Sequence, residues 1–146
     1  MKRCRLIYRS VRNAELLPNN DLRELVEKAS ENNAKDGITG MLLLSGDHFL
    51  QVLEGPVKFV NQLYAKIITD ERHYDVELIH YESVNDTYFD DWSMEMLNLG
   101  KGLSDEMRDA MLVKYSEENG HIKIPDDLLH VHALLLDARW GLLDYG

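Results

Sequence analysis

The chain predicts an α+β fold in the element order β-α-β-β-α-β, with a fifth strand and two further helices at the C-terminal end. Three observations carry this. Short apolar runs of strand length recur at 4–10, 38–53 and 74–84. Two intervening segments, 19–37 and 56–73, space their apolar residues like the buried stripe of a helix. Past Gly102 the patterning is helical only.

The first strand is "CRLIYRS" (Cys4–Ser10), which ends before a polar loop containing Pro18. In "NNDLRELVEKASENNAKDG", Leu22, Leu25, Val26 and Ala29 fall at helical spacing. Asn19 or Asn20 is the expected cap and Gly37 the stop. "ITGMLLLSGDHFLQVLEG" places two apolar runs around Ser45-Gly46-Asp47, a hairpin signal. "PVKFVNQLYAKIITDERH" reads as a second amphipathic helix, with Pro56 near its start and a stripe of Val60, Leu63, Tyr64, Ile67 and Ile68. "YDVELIHYESV" and "YFDDWSMEMLNL" read as two more strands, parted by Asn85–Thr87. This order is the ferredoxin-like, split βαβ plan, with two helices on one face of a mixed sheet.

Ser104 precedes an acidic-start helix, "DEMRDAMLVKYSEENG", that ends at Gly120. The last helix, "PDDLLHVHALLLDARWGLL", is apolar nearly all round: Leu128, Leu129, Val131, Leu134, Leu135, Leu136 and Trp140. Such a helix must bury most of its circumference. A second subunit is the expected cover, which favours a homo-oligomer; folding back on the outer face of the sheet is the alternative.

Composition narrows the function classes. Acidic residues exceed basic ones, 26 to 16, so the surface repels polyanions. Nucleic acid and anionic membrane are therefore poor partners. No stretch approaches the roughly 20 apolar residues that span a bilayer. The amino terminus has charges but no long apolar run, so no signal peptide is expected. One cysteine, Cys4, leaves no intramolecular disulfide and no cysteine-based metal site. A cytoplasmic protein is expected. The histidines point to no metal: His130 and His132 stand two apart, a spacing that does not share a helix face. His48 and His121 read as turn residues, and His80 alternates in a strand.

One strand poses a chemical problem. "HFLQVLEGP" places Gln51 among Phe49, Leu50, Val52 and Leu53. A primary amide has two donors and an acceptor, and each left unpaired in a core costs roughly 1–3 kcal/mol. Strand parity puts Phe49, Gln51 and Leu53 on one face, and Leu6 and Tyr8 on one face of the first strand. If both faces meet the helices, Tyr8, Gln51 and one of Asn32 and Asn33 line a buried polar pocket. The simpler reading is that these groups satisfy one another or water.

The segments "LIYRS", "NNAKDGITGMLLL", "FLQVLEGP", "LYAKIITDERH" and "WSM" occur in this order and at these separations. Together they resemble the BLUF family of blue-light sensors that bind a flavin, over about residues 3–98. The helices from Ser104 onward resemble, in general character, the appendage of the short single-domain members. The resemblance implies a flavin-binding domain over 1–100 and a two-helix extension over 101–146, with no catalytic domain. It implies that the flavin ring lies between the two helices, sandwiched by Leu25 and Ile67. Asn33 would bond the ring's pyrimidine edge, with Asn32 close by, and Gln51 would bridge the ring and the Tyr8 hydroxyl. Lys66, Asp70, Arg72 and His73 fall where the family contacts the O2 edge, the ribityl chain or the phosphates. FAD is implied by family habit, with FMN left open.

The resemblance also implies a switch rather than an enzyme. Light would drive an electron from Tyr8 to the flavin, a proton would follow through Gln51, and the amide would be left rotated or tautomerised. Trp92 and Met94 would compete for the place beside Gln51 and relay the change, whereas Met96 reads as core packing. The signal would pass to a partner protein or through an oligomer. The alternative is a light-insensitive flavin-binding or interaction module; intact Tyr8, Gln51 and Asn33 weigh against it.

Overall fold

The computed structural model describes residues 2–89 and 93–142, with side chains up to residue 139. Five strands form one sheet: β1 (Arg3–Arg12), β2 (Thr39–Ser45), β3 (His48–Pro56), β4 (His73–Val84) and β5 (Glu95–Asn98). Their spatial order is β4-β1-β3-β2-β5. All neighbours run antiparallel except β2 and β5, which are parallel, so the sheet is mixed as predicted.

Period-two alternation decides what each face carries. Leu6, Tyr8, Leu42, Leu44, Phe49 and Leu53 point to one side, where α1 (Leu22–Asp36) and α2 (Val57–Ile67) cover them. Ile7, Met41, Leu43, Leu50 and Val52 point to the other. That second face is covered by α3 (Asp105–Lys114), a small hairpin of β6 (Glu117–Glu118) and β7 (His121–Ile122), and α4 (Leu128–Leu136). Val131, Leu134, Leu135 and Ala138 are buried there. The apolar last helix thus packs on the outer face of its own sheet, the alternative to cover by a second subunit. Leu128 and Leu129 are exposed, 37 % and 76 %; the Trp140 side chain lies outside the described residues. No described helix is long and apolar enough to cross a membrane.

Several boundaries differ from those predicted, each for a local reason. A 3-10 turn, Asn19–Asp21, precedes α1, so Asp21 rather than Asn19 or Asn20 occupies its N-cap. Gly37 does end α1, with φ 69°; the Ile38 N–H closes on the Asn33 carbonyl at 2.9 Å. A left-handed residue at this position is what glycine tolerates without a Cβ clash. Helix α2 stops at Ile67, where a turn carries the Thr69 and Asp70 N–H groups back to Lys66 and Ile67. Helix α3 begins at Ser104 as predicted, its hydroxyl accepting from Met107 N–H at 3.2 Å. It ends at Lys114, not Gly120. Asn119 and Gly120 both take positive φ, 52° and 80°, and turn the chain into the β6–β7 hairpin. Asn-Gly is a strong hairpin signal, and here it overrides the helical spacing before it. The predicted fifth strand shrinks to Glu95–Asn98, so Met94 immediately precedes it. Trp92 lies outside the described residues.

The connection from β4 to β5 is anchored on the outer face. Glu54, fully buried, accepts from the Tyr88 and Phe89 N–H groups at 2.7 and 2.9 Å through one oxygen. Its other oxygen accepts from Arg5 Nε at 2.9 Å. Arg5 also reaches Glu82 at 2.7 Å and stacks on the Tyr88 ring. At the far end, Lys114 Nζ and the Tyr115 hydroxyl both donate to Asp137 at 2.6 Å, tying α3 to the turn after α4.

Candidate functional site

Between α1 and α2, above the middle of the sheet, lies a cavity of about 330 Å³. That is at the low end of the roughly 300–1,000 Å³ typical of small-molecule sites. All ten residues expected to contact a cofactor line it: Tyr8, Leu25, Asn32, Asn33, Gln51, Lys66, Ile67, Asp70, Arg72 and His73. Met94 lines it too.

The floor is polar and comes from the central strands. Tyr8 and Gln51 are directly paired across β1 and β3. Their side chains meet on the helix side of the sheet, where the Tyr8 hydroxyl donates to Gln51 Oε1. Gln51 is 7 % exposed. Its other end, Nε2, has two N–H groups; among the described residues its partner is the Met94 sulfur at 3.4 Å, a weak acceptor.

Burial holds Tyr8 well above the ordinary phenol pKa, and the nearby Tyr64 and Asp70 add to the shift in the same direction. Tyr8 is therefore neutral. Its ring lies 5.7 Å from that of Tyr64 and 6.2 Å, edge-on, from that of His73. His73 is fixed from both ring nitrogens, Nε2 on the Ile67 carbonyl oxygen at 2.6 Å and Nδ1 on Ser10 Oγ at 2.8 Å.

One wall comes from the C-terminal half of α1. Asn33, whose backbone carbonyl takes part in the glycine cap, is buried, and its Nδ2 donates to the Ser93 carbonyl at 3.0 Å. Ser30 Oγ bonds Ser93 Oγ one turn earlier. The segment leading into β5 is thus pinned to α1 at Ser93 and touches Gln51 through Met94. Asn32 is exposed at the rim. Leu25 and Ile67, both half-buried, face the cavity from opposite helices. The mouth carries Lys66 and Arg72. Arg72 Nε lies 2.9 Å from Asp70 Oδ1, and this bond, outweighing burial, holds the Asp70 carboxyl below the ordinary value.

Several lining residues were not singled out as site residues from the sequence: Leu17, Lys28, Leu42, Phe49 and Leu63. They read as plain core or surface positions, and only the gap between the helices distinguishes them. Ser30 and Ser93 were missed as well; neither belongs to an apolar pattern.

The slot thus has apolar walls, an amide and phenol floor, and a mouth carrying Lys66 and the Asp70–Arg72 ion pair. Residues 4–95 match the family described as BLUF, sensors of blue light using FAD, and the chain belongs to that family. The blue light- and temperature-regulated antirepressor BluF of Escherichia coli K12 is 34 % identical over 110 residues. That match covers 75 % of this chain and 27 % of BluF, so the chain spans about a quarter of that relative. The photo-activated state of BlsA superposes with a TM-score of 0.79 at 26 % identity, covering 95 % of this chain and 96 % of BlsA. Klebsiella pneumoniae BlrP1 with FMN and cyclic diGMP gives a TM-score of 0.69 at 29 % identity, over 93 % of this chain and 35 % of that one.

Proposed function

We propose that the chain senses blue light through a reversible rearrangement of the Tyr8–Gln51 hydrogen bond beside a flavin held between α1 and α2. The observation that carries this is the Gln51 side chain, buried with its carbonyl on a neutral phenol and its NH₂ group, among the described residues, on the Met94 thioether. The residues fit the cofactor. Leu25 and Ile67 would hold the ring, Asn33 and Gln51 its polar edge, and Lys66 and Arg72 the anionic tail.

When bound, a flavin absorbs blue light and becomes a strong one-electron oxidant. Tyr8 is the nearby reductant, and its hydroxyl already donates to Gln51 Oε1, which is the acceptor for the departing proton. A primary amide can then exchange its donor and acceptor ends at nearly constant volume. With its ends exchanged, Gln51 would present its NH₂ group to Tyr8 and its carbonyl to Met94. Met94, flexible and apolar, repacks in response and moves the segment that leads into β5.

Residues 1–100 act as the sensing part and 101–146 as the part that passes the change onward, to a partner protein or a second copy. No reaction on a substrate is assigned. FAD is the preferred cofactor on the family's description, with FMN as the alternative, since the two share the ring that this slot suits. A lone cysteine and an acidic surface agree with a cytoplasmic location.

An absorption spectrum recorded before and after blue illumination tests the proposal. The flavin band of the purified protein is expected to move to the red and return in darkness. Tyr8→Phe and Gln51→Leu are expected to keep the flavin and lose the shift. A normal photocycle in either variant removes that residue from the mechanism.

A further inference from the structure

We propose that His80, Glu82 and His132 form a binding site for a divalent transition cation of the zinc class, bridging edge strand β4 to helix α4. The site lies on the outer face of the sheet, away from the flavin slot. His80 and Glu82 are two apart on β4 and so share a face, pairing with Ile7 and Arg5 of β1. His132 reaches the same spot from α4. Its ring stands edge-on to that of His80, with centroids 5.7 Å apart.

One ligand atom from each residue lies within 4.8 Å of the other two, and His80 Nε2 is 3.3 Å from Glu82 Oε2. Ligands on bonds of about 2.0 Å stand roughly 3.3 Å apart around a tetrahedral ion. One edge is therefore at bonding separation already, and modest side-chain rotation brings in the third ligand. Two imidazoles and a carboxylate suit zinc and leave one position for water.

The surroundings favour ligation. Arg5 donates to Oε1 of Glu82 at 2.7 Å, which orients the carboxylate so that Oε2 faces His80 Nε2. The charge of Arg5 is itself matched by buried Glu54. All three residues are only half-buried, so an ion has a path in.

Tag-free, flavin-bound protein titrated with zinc chloride by calorimetry, with magnesium chloride as control, tests the site. One zinc per chain and no magnesium are expected. Saturating zinc should raise the Tm by roughly 5 °C. His80→Gln and His132→Gln should each weaken zinc binding at least about tenfold and abolish the rise in Tm. His130→Gln, next along the helix but held by Asp127, should change neither. The flavin spectrum reports folding of each variant, and Glu82→Gln serves where a histidine variant fails to fold. No zinc binding, or binding that survives His132→Gln or falls equally in His130→Gln, overturns the proposal. None of these readings depends on the light response.

Discussion

The two faces of the sheet are made by alternate residues of the same strands, yet they solve the problem of a buried polar group in opposite ways. On the outer face, Arg5 of β1 and Glu54 of β3 pair directly, and both carboxylate oxygens of Glu54 are occupied. On the helix face, Tyr8 and Gln51 of the same two strands also pair, but among the described residues the amide nitrogen of Gln51 bonds a sulfur, that of Met94. A saturated network is rigid, because any movement breaks several charge-assisted bonds at once. An unsaturated neutral one can be rearranged at small cost. The fold holds its shape with one face and can switch with the other.

Breaking the rigid face should have the largest effect. Glu54→Ala removes the buried partner of Arg5, leaving it the partly exposed Glu82, and frees two backbone N–H groups; a loss of roughly 3–5 kcal/mol is expected in denaturant unfolding. A loss below 1 kcal/mol would mean that water or Glu82 replaces the carboxylate. Next comes the apolar cover on that face. Leu134→Ala, at a fully buried position, should cost about 2–4 kcal/mol and leave the dark flavin spectrum unchanged, since α4 does not line the slot. A spectral change in that variant would show that the faces are coupled even without light.

A smaller effect sharpens the helix-face side of the comparison. Tyr8 is held above its ordinary pKa by burial, so the folded state keeps this proton after the unfolded chain would lose it. The contribution to stability is fully present below about pH 10 and declines as pH rises beyond that. Unfolding measured at increasing alkaline pH should show the wild type losing stability more steeply than Tyr8→Phe. Parallel curves would mean that Tyr8 ionises freely.

Much of this was legible in the chain because it is local. Apolar spacing marked α1 and α2, Gly37 marked a stop that only a left-handed residue provides, and Ser104 marked a cap. Strand parity alone set Gln51 and Tyr8 on a common face. Where the reading failed, two local signals competed. Gly120 read as the end of the third helix, but Asn119 and Gly120 instead turn the chain into a hairpin. The short fifth strand kept too few alternating residues to define its start, so Met94 fell outside it.

Other features were decided only in three dimensions. Nothing in the order of residues says that Ser93 bonds both Ser30 and Asn33, that the apolar last helix closes on its own sheet, or that His80 meets His132. Each depends on elements distant in the chain being brought to one place. Periodicity records which side of an element is buried, because burial acts on each residue where it stands. It does not record against what, since that depends on how whole elements pack, and packing is a property of pairs.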